Sequence, residues 1–254
     1  MNRRHALLIG GIAVIGFASM AYGLDKTPAG YGITVNYQAI IGPPPAPGSA
    51  SAAADRAAIA KTTAGIDGPA WKAAESQLHP SSDTVRDQIA CALGRRIAVE
   101  ATPATARLMY RAATELQVPI FDGKSFYHRD RPYVGNADTR TCDPRSLEPG
   151  SAETGGALSY SYPSGHAAYG ELMAKVLGAA VPTRAAPLTA WGRQLGDNRV
   201  VCRVHWPSDV AAGRRLADAM FAQLAAKPAF QADVAAARAE LAKAPAAANC
   251  RSGS

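Results

Sequence analysis

The sequence predicts an all-α protein of a single domain, a helical bundle with a long functional loop in its middle. Three observations carry this reading. The 254 residues suffice for one sizeable core but not for two typical domains. The composition is rich in alanine and poor in β-branched residues, and alanine gives up no side-chain entropy on entering a helix. No stretch sustains the period-two alternation of a half-buried strand, so almost no sheet is expected. Hydrophobic residues at 48% against 19% charged also exclude a disordered, highly charged chain.

The chain opens on Met1-Asn2-Arg3-Arg4-His5, an apolar run from Ala6 to Ala18, and then Ser19-Met20-Ala21. A basic start, a short apolar stretch and small residues around one position make residues 1–21 a secretory signal peptide. Cleavage is expected after Ala21, with Gly23 as a second candidate; the alternative is an uncleaved N-terminal anchor. Gly10, Gly11 and Gly16 interrupt the run before it reaches the roughly 20 apolar residues of a spanning helix. The implied location is periplasmic or secreted. Cys91, Cys142, Cys202 and Cys250 form an even set in an exported chain, which suggests two disulfides. Spacing does not choose among the three pairings; we expect Cys91–Cys142 and Cys202–Cys250, the second tying the C-terminal tail to the body. No pair has the C-x-x-C spacing of a zinc ribbon.

Residues 22–50 read as a leader rich in proline and glycine, extended and non-helical, ending in Pro43-Pro44-Pro45-Ala46-Pro47-Gly48. The helical domain spans residues 51–254 and turns alanine-rich from Ala52. Ser82-Asp83 caps a helix expected to run to about Val99, with Val85, Ile89, Leu93 and Ile97 on one face. Thr102-Pro103 opens the next helix, which turns Leu108, Met109, Ala112 and Leu116 inward. The stretch from Val118 to Tyr162 reads as loop. Further helices are expected from Gly165 to Ala180, Ala185 to about Val204, Pro207 to Ala226 and Ala229 to Lys243.

Three motifs carry chemistry. Lys124 is followed after six residues by Arg131-Pro132; next comes Pro163-Ser164-Gly165-His166; last, Arg199, His205 and Asp209 stand in the pattern R-x5-H-x3-D. Ser164 sits where a helix N-cap belongs, so the amides of Gly165 and His166 are among the helix donors without carbonyl partners and can meet an anion. Simple capping by Ser164 is the plainer reading, and both can hold together. Arg199 falls on the apolar stripe of Leu188, Trp191, Leu195 and Cys202, where a guanidinium is costly unless an anion meets it. Its alternative is a side chain that snorkels out at the helix end. Lys124 and Arg131 read by themselves as a solvated basic loop; together with Arg199 they can surround one tetrahedral oxyanion. Asp209 is the third residue of a helix that Pro207 opens, so its carboxylate can reach back to the cap and to the ring of His205, fixing one tautomer. A metal is not expected, because a site crowded with lysine and arginine repels divalent cations.

In order, these motifs read K-x6-RP, PSGH and R-x5-H-x3-D. The chain resembles the type 2 phosphatidic-acid-phosphatase and vanadium-haloperoxidase superfamily, and within it the bacterial class A non-specific acid phosphatases, which are secreted and all-helical. The run from Gly196 to Asp209 carries the closest likeness. The resemblance implies a metal-independent acid phosphatase, without cofactor, that hydrolyses phosphate monoesters through a phosphohistidine. It makes His205 the nucleophile, Asp209 its orienting group and His166 the general acid; Lys124, Arg131, Ser164, Gly165 and Arg199 hold the phosphoryl oxygens. Inorganic phosphate or vanadate would then inhibit. The chain departs from the family pattern at Asn198, where serine is usual, and at Asp130, where proline often precedes the Arg-Pro pair. Asn198 is expected to tune the site as a hydrogen-bond donor, and Asp130 to weaken phosphate binding by Arg131. The rivals are a vanadate-dependent haloperoxidase, for which the chain is short, and a non-catalytic phosphate-binding protein, which has no use for His205 and Asp209. His79 and His128 read as surface or supporting residues. Nothing in the sequence requires nucleic acid, and a membrane span is not expected after signal removal. Whether the chain forms a homo-oligomer stays open.

Overall fold

The structure, a computed structural model, describes residues 28–79, 82–143, 159–248 and Cys250. The expected signal peptide lies outside the described residues. Helices α1 (Tyr37–Ile41), α2 (Ala50–Thr62), α3 (Pro69–Glu75) and α4 (Asp83–Leu93) come first. They are followed by α5 (Pro103–Thr114), α6 (Gln117–Tyr127), α7 (Gly165–Ala180), α8 (Ala185–Val201), α9 (Pro207–Ala225) and α10 (Pro228–Leu241). Single 3₁₀ turns lie at Thr63–Gly65 and Pro182–Arg184. Among the described residues the β structure is one isolated bridge between Arg95 and Ala246. The all-α expectation holds. Proline begins α3, α5, α9 and α10, where its missing N–H costs nothing. Ser49, Ser82 and Ser164 cap α2, α4 and α7 through their hydroxyls.

Four expectations need correction. The leader is not wholly extended: Asn36 caps the short helix α1, its side chain accepting the Ala39 amide at 3.1 Å. Helix α4 stops at Leu93, because Gly94 adopts a left-handed φ of 73° and turns its amide back onto the Ala90 and Cys91 carbonyls. Ile97 therefore packs on the core from outside the helix. The start of the stretch expected as loop from Val118 is helical, within Gln117–Tyr127; Pro119 falls in the first turn, where its missing N–H is harmless, and Gly123 is there for space. A Cβ at Gly123 would lie 2.8 Å from Cδ of Pro163. Finally, the disulfides join Cys91 to Cys250 and Cys142 to Cys202. The C-terminal tail is tied down as expected, but to α4.

Helix α7 is the centre of the molecule. Ala167, Ala168, Leu172, Met173, Val176 and Leu177 are all fully buried on it, against α8 on one side and α9 on another, with α5 and α10 closing the core. The approach to α8 is close enough to exclude side chains. A methyl group at Gly170 would strike the Gly192 carbonyl oxygen, and one at Gly192 the Gly170 carbonyl oxygen. Helix α9 crosses the start of α7 in the same way, with Gly213 against the Ser164 carbonyl. The N-terminal segment is strapped to the far side. Tyr31 donates its hydroxyl to Asp233 at 2.9 Å, and Glu115 accepts the Tyr31 and Gly32 amides.

Because the obstruction at the α7–α8 crossing is backbone on both sides, it cannot rotate away. Gly192→Ala is expected to destabilise the fold by about 1–3 kcal/mol, the range for overpacking. Denaturant unfolding monitored by circular dichroism measures this; an unchanged midpoint would contradict it.

Candidate active site

Four helix ends converge on one place, the α7 N-terminus among them. Lys124 comes from the last turn of α6, Arg199 from the last turn of α8, Ser164 caps α7, and His205 precedes the cap of α9. Local hydrogen bonds bring them together. The α8–α9 turn wraps back so that the Val204 and His205 amides both donate to the Arg199 carbonyl, at 3.1 and 3.2 Å. Arg203 in that turn holds a left-handed φ of 60° and donates to Asp138 at 2.7 Å. The Ser164 amide donates to the Asp209 carbonyl at 3.0 Å, which fixes the start of α7 against α9.

The cationic residues point inward. Lys124, Arg131 and Arg199 are 3%, 7% and 5% exposed, so Arg199 does not snorkel and the basic loop is not solvated. Lys124 donates to the Tyr160 carbonyl. Arg131 donates to the Ser159 and Val204 carbonyls at 3.1 and 2.8 Å, and its Nη1 lies 3.5 Å from Nε2 of His205. The other ring nitrogen of His205, Nδ1, lies 3.4 Å from Oδ2 of Asp209, and the same oxygen accepts the Trp206 amide at 2.8 Å. One carboxylate thus caps α9 and faces the imidazole. With Nδ1 turned to a carboxylate and Nε2 to a guanidinium, the neutral ring carries its proton on Nδ1 and its lone pair on Nε2. His166, half-buried in the first turn of α7, has Nε2 at 3.1 Å from the Leu78 carbonyl. Gly165 follows the cap with its Cα bare toward Ile120.

The groups feel one another. Burial, then Arg131, Lys124, Arg199 and His166, hold the His205 imidazole well below its ordinary pKa. Burial and then Arg199 do the same for His166. Burial, Arg131 and Arg199 lower Lys124, against the pull of Asp209. Burial pushes the Asp209 carboxyl up, opposed by Arg129, the Trp206 amide and Lys124. The sequence-derived site residues therefore share one buried, positively charged cup.

Comparisons with known proteins place the chain in a family. A family model described as the PAP2 superfamily matches residues 105–227, a span that contains all three motifs. The chain is similar to the non-specific acid phosphatase of Salmonella typhimurium, 35% identical over 209 residues, covering 82% of this chain and 81% of the relative. It is also similar to the acid phosphatase of Zymomonas mobilis, 34% identical over 206 residues, covering 80% of this chain and 75% of that protein. The chain belongs to the PAP2 superfamily, in its class A acid phosphatase family.

Within that PAP2 framework the structure adds two residues that the sequence reading missed. Arg129 donates to Oδ1 of Asp209 at 2.5 Å, to Ser208 Oγ at 2.6 Å and to Oδ2 of Asp55 at 2.7 Å. Asp55, on α2, also accepts the Ser208 amide at 3.0 Å. A line of alternating charge, Asp55–Arg129–Asp209, therefore stands behind His205. The available signal was a lone acid on the buried Ala52–Asp55–Ile59 stripe of α2, and an arginine two residues before Arg131. Of the two departures from the family pattern, Asp130 is exposed, whereas the Arg131 guanidinium beside it in sequence is buried. Asn198 is a donor as expected, giving its Nδ2 to Oε1 of Gln77 at 2.6 Å. His79 is half-buried within electrostatic reach of His166, and His128 is exposed and packs edge-on to Tyr160.

Arg129→Met leaves Asp209 buried opposite an apolar side chain and is expected to cost about 3 kcal/mol, near the lower end for breaking a buried pair. Urea unfolding at neutral pH checks this. Both depressed histidines bind a proton more readily in the unfolded chain. Their contribution to stability is complete above about pH 6.5 and is lost as the pH falls below it. A His205→Asn variant should lose less stability on acidification than the wild type; thermal unfolding between neutral and acidic pH makes the comparison.

Proposed function

We propose that this PAP2 chain hydrolyses phosphate monoesters through a phosphohistidine on His205, without a metal, in the periplasm or outside the cell. The observation that carries the reading is the neutral Nε2 of His205 inside a ring of buried cations. A divalent cation would be repelled there, whereas a phosphate dianion would relieve the repulsion. Phosphoryl transfer passes through a loose transition state with charge over the equatorial oxygens, so fixed donors contribute most. Lys124, Arg131, Arg199 and the α7 amides at Gly165 and His166, capped by Ser164, are those donors. The names of the relatives, acid phosphatases both, support the same chemistry.

The steps balance as follows. The Nε2 lone pair of His205 forms a bond to phosphorus as the ester P–O bond breaks, and His166 gives its proton to the departing alkoxide. Asp209 stabilises the positive charge that develops on the His205 ring. A water then attacks phosphorus, yields its proton to His166 and breaks the P–N bond, releasing phosphate and neutral His205. Substrate charge offsets the repulsion that Arg199 and Arg131 exert on His166, so its pKa rises in the complex and it enters protonated. The expected signal peptide over residues 1–21 supports export, and no described helix is long and apolar enough to cross a membrane.

Acid quenching during turnover, followed by mass spectrometry, should locate the phosphoryl group on His205. His205→Ala should abolish aryl phosphate hydrolysis while retaining phosphate binding; retained turnover would end this reading. Lowering of the His205 pKa keeps its nucleophile neutral below pH 6.5, so kcat/KM should trace a bell on the acid side. A profile still rising above neutrality contradicts the assignment. Vanadate should inhibit without conferring halide oxidation by peroxide; the opposite result would favour a haloperoxidase.

A further inference from the structure

A general acid must offer its proton in one direction, and the structure shows what aims the ring of His166. The Leu78 carbonyl stands 3.1 Å from Nε2. A carbonyl only accepts, so Nε2 carries hydrogen and Nδ1 is the nitrogen that exchanges a proton with the substrate. Leu78 lies in the turn after α3, where the Gln77 and Leu78 amides fold back onto the Ala74 and Glu75 carbonyls at 3.1 and 3.2 Å. That turn is anchored through Gln77, whose residue is only 2% exposed. Its Oε1 accepts from Asn198 at 2.6 Å, and its Nε2 donates to Oε1 of Gln88 on α4. Asn198 immediately precedes Arg199 on α8, so one short path runs from a helix that shapes the cationic cup to the acceptor that holds the general acid. A serine at this position would end one bond nearer the backbone and leave the Gln77 acceptor out of reach.

We propose that Asn198 and Gln77 are positioning residues for His166: their hydrogen bond fixes the turn bearing the Leu78 carbonyl, and with it the direction in which Nδ1 presents its proton. The proposal rests on the phosphohistidine reading above. It accounts for asparagine at a place where serine is usual in the family, and it predicts a defect confined to the proton transfers through His166. Small displacements of a catalytic group are costly because proton transfer demands hydrogen-bond contact with the leaving oxygen.

The test compares two leaving groups in the full-length enzyme. Dinitrophenolate departs without a proton, whereas an alkoxide such as that of ethyl phosphate needs one. Asn198→Ala, Asn198→Ser and Gln77→Leu should each lower kcat/KM, which reports the first phosphoryl transfer, for ethyl phosphate by about tenfold or more. Each should hold kcat/KM for dinitrophenyl phosphate within about twofold of wild type, the same split, in lesser degree, as His166→Ala. Thermal unfolding identifies any variant that fails to fold, and the remaining ones decide. Equal losses of kcat/KM on both substrates would place Asn198 in phosphoryl binding through Arg199 and overturn the proposal, as would unchanged kcat/KM on both. If His205→Ala retained turnover, the underlying reading would fall and this proposal with it. Equal losses alongside strict dependence on His205 would remove the proposal alone.

Discussion

Mutual repulsion among buried cations is the constraint that the rest of the site answers. Lys124, Arg131 and Arg199 face the buried imidazole of His205 and the half-buried one of His166, and the lowered pKa values of Lys124, His166 and His205 register the same field. An isolated buried charge is costly, and three of one sign are more so. Carbonyl oxygens of Ser159, Tyr160 and Val204 absorb part of that cost by accepting from Lys124 and Arg131. They do not neutralise it. In the function proposed above the cup receives an anion, and its donors need little rearrangement when charge moves onto the phosphoryl oxygens.

Such a field demands rigid walls. Close backbone contact at Gly170, Gly192 and Gly213 leaves α7, α8 and α9 no slack to spread apart. Behind the cup the electrostatics change character. Asp55, Arg129 and Asp209 alternate in sign and bond to one another, so His205 stands between a cluster of cations and a line of paired charges. The two imidazoles are also held differently: His205 by a carboxylate, which favours added positive charge on its ring, and His166 by a neutral carbonyl. In the mechanism proposed above, a nucleophile that becomes cationic and an acid that becomes neutral are suited to those respective partners.

Much of this was legible because it is local. The caps at Ser82 and Ser164, the prolines opening helices and the four-residue reach from His205 to Asp209 are all set by neighbours in sequence. Arg199 was legible because a guanidinium on an apolar stripe has few explanations. Helix α6 was hidden by Pro119 and Gly123, which discourage helix by propensity but here serve the first turn and a tight fit to Pro163. Gly94 ended α4 early although the apolar spacing continued through Ile97, since period alone says nothing of a left-handed stop. The bond from Arg129 to Asp55 spans 74 residues and the Asn198–Gln77 bond 121, distances over which no spacing rule operates. Cysteine pairing failed for the same reason: an even count fixes the number of bridges and not their partners.

The two bridges, once corrected, are concentric. The Cys142–Cys202 link lies inside the span closed by Cys91–Cys250, and every group from Lys124 to Asp209 falls within the outer ring. A single cut in any surface turn of that span would therefore release none of these groups, since both new ends stay on one covalent framework. In an oxidising environment that also contains proteases, the enzyme can be nicked without being dismembered, and the unfolded chain keeps fewer conformations from which it must return.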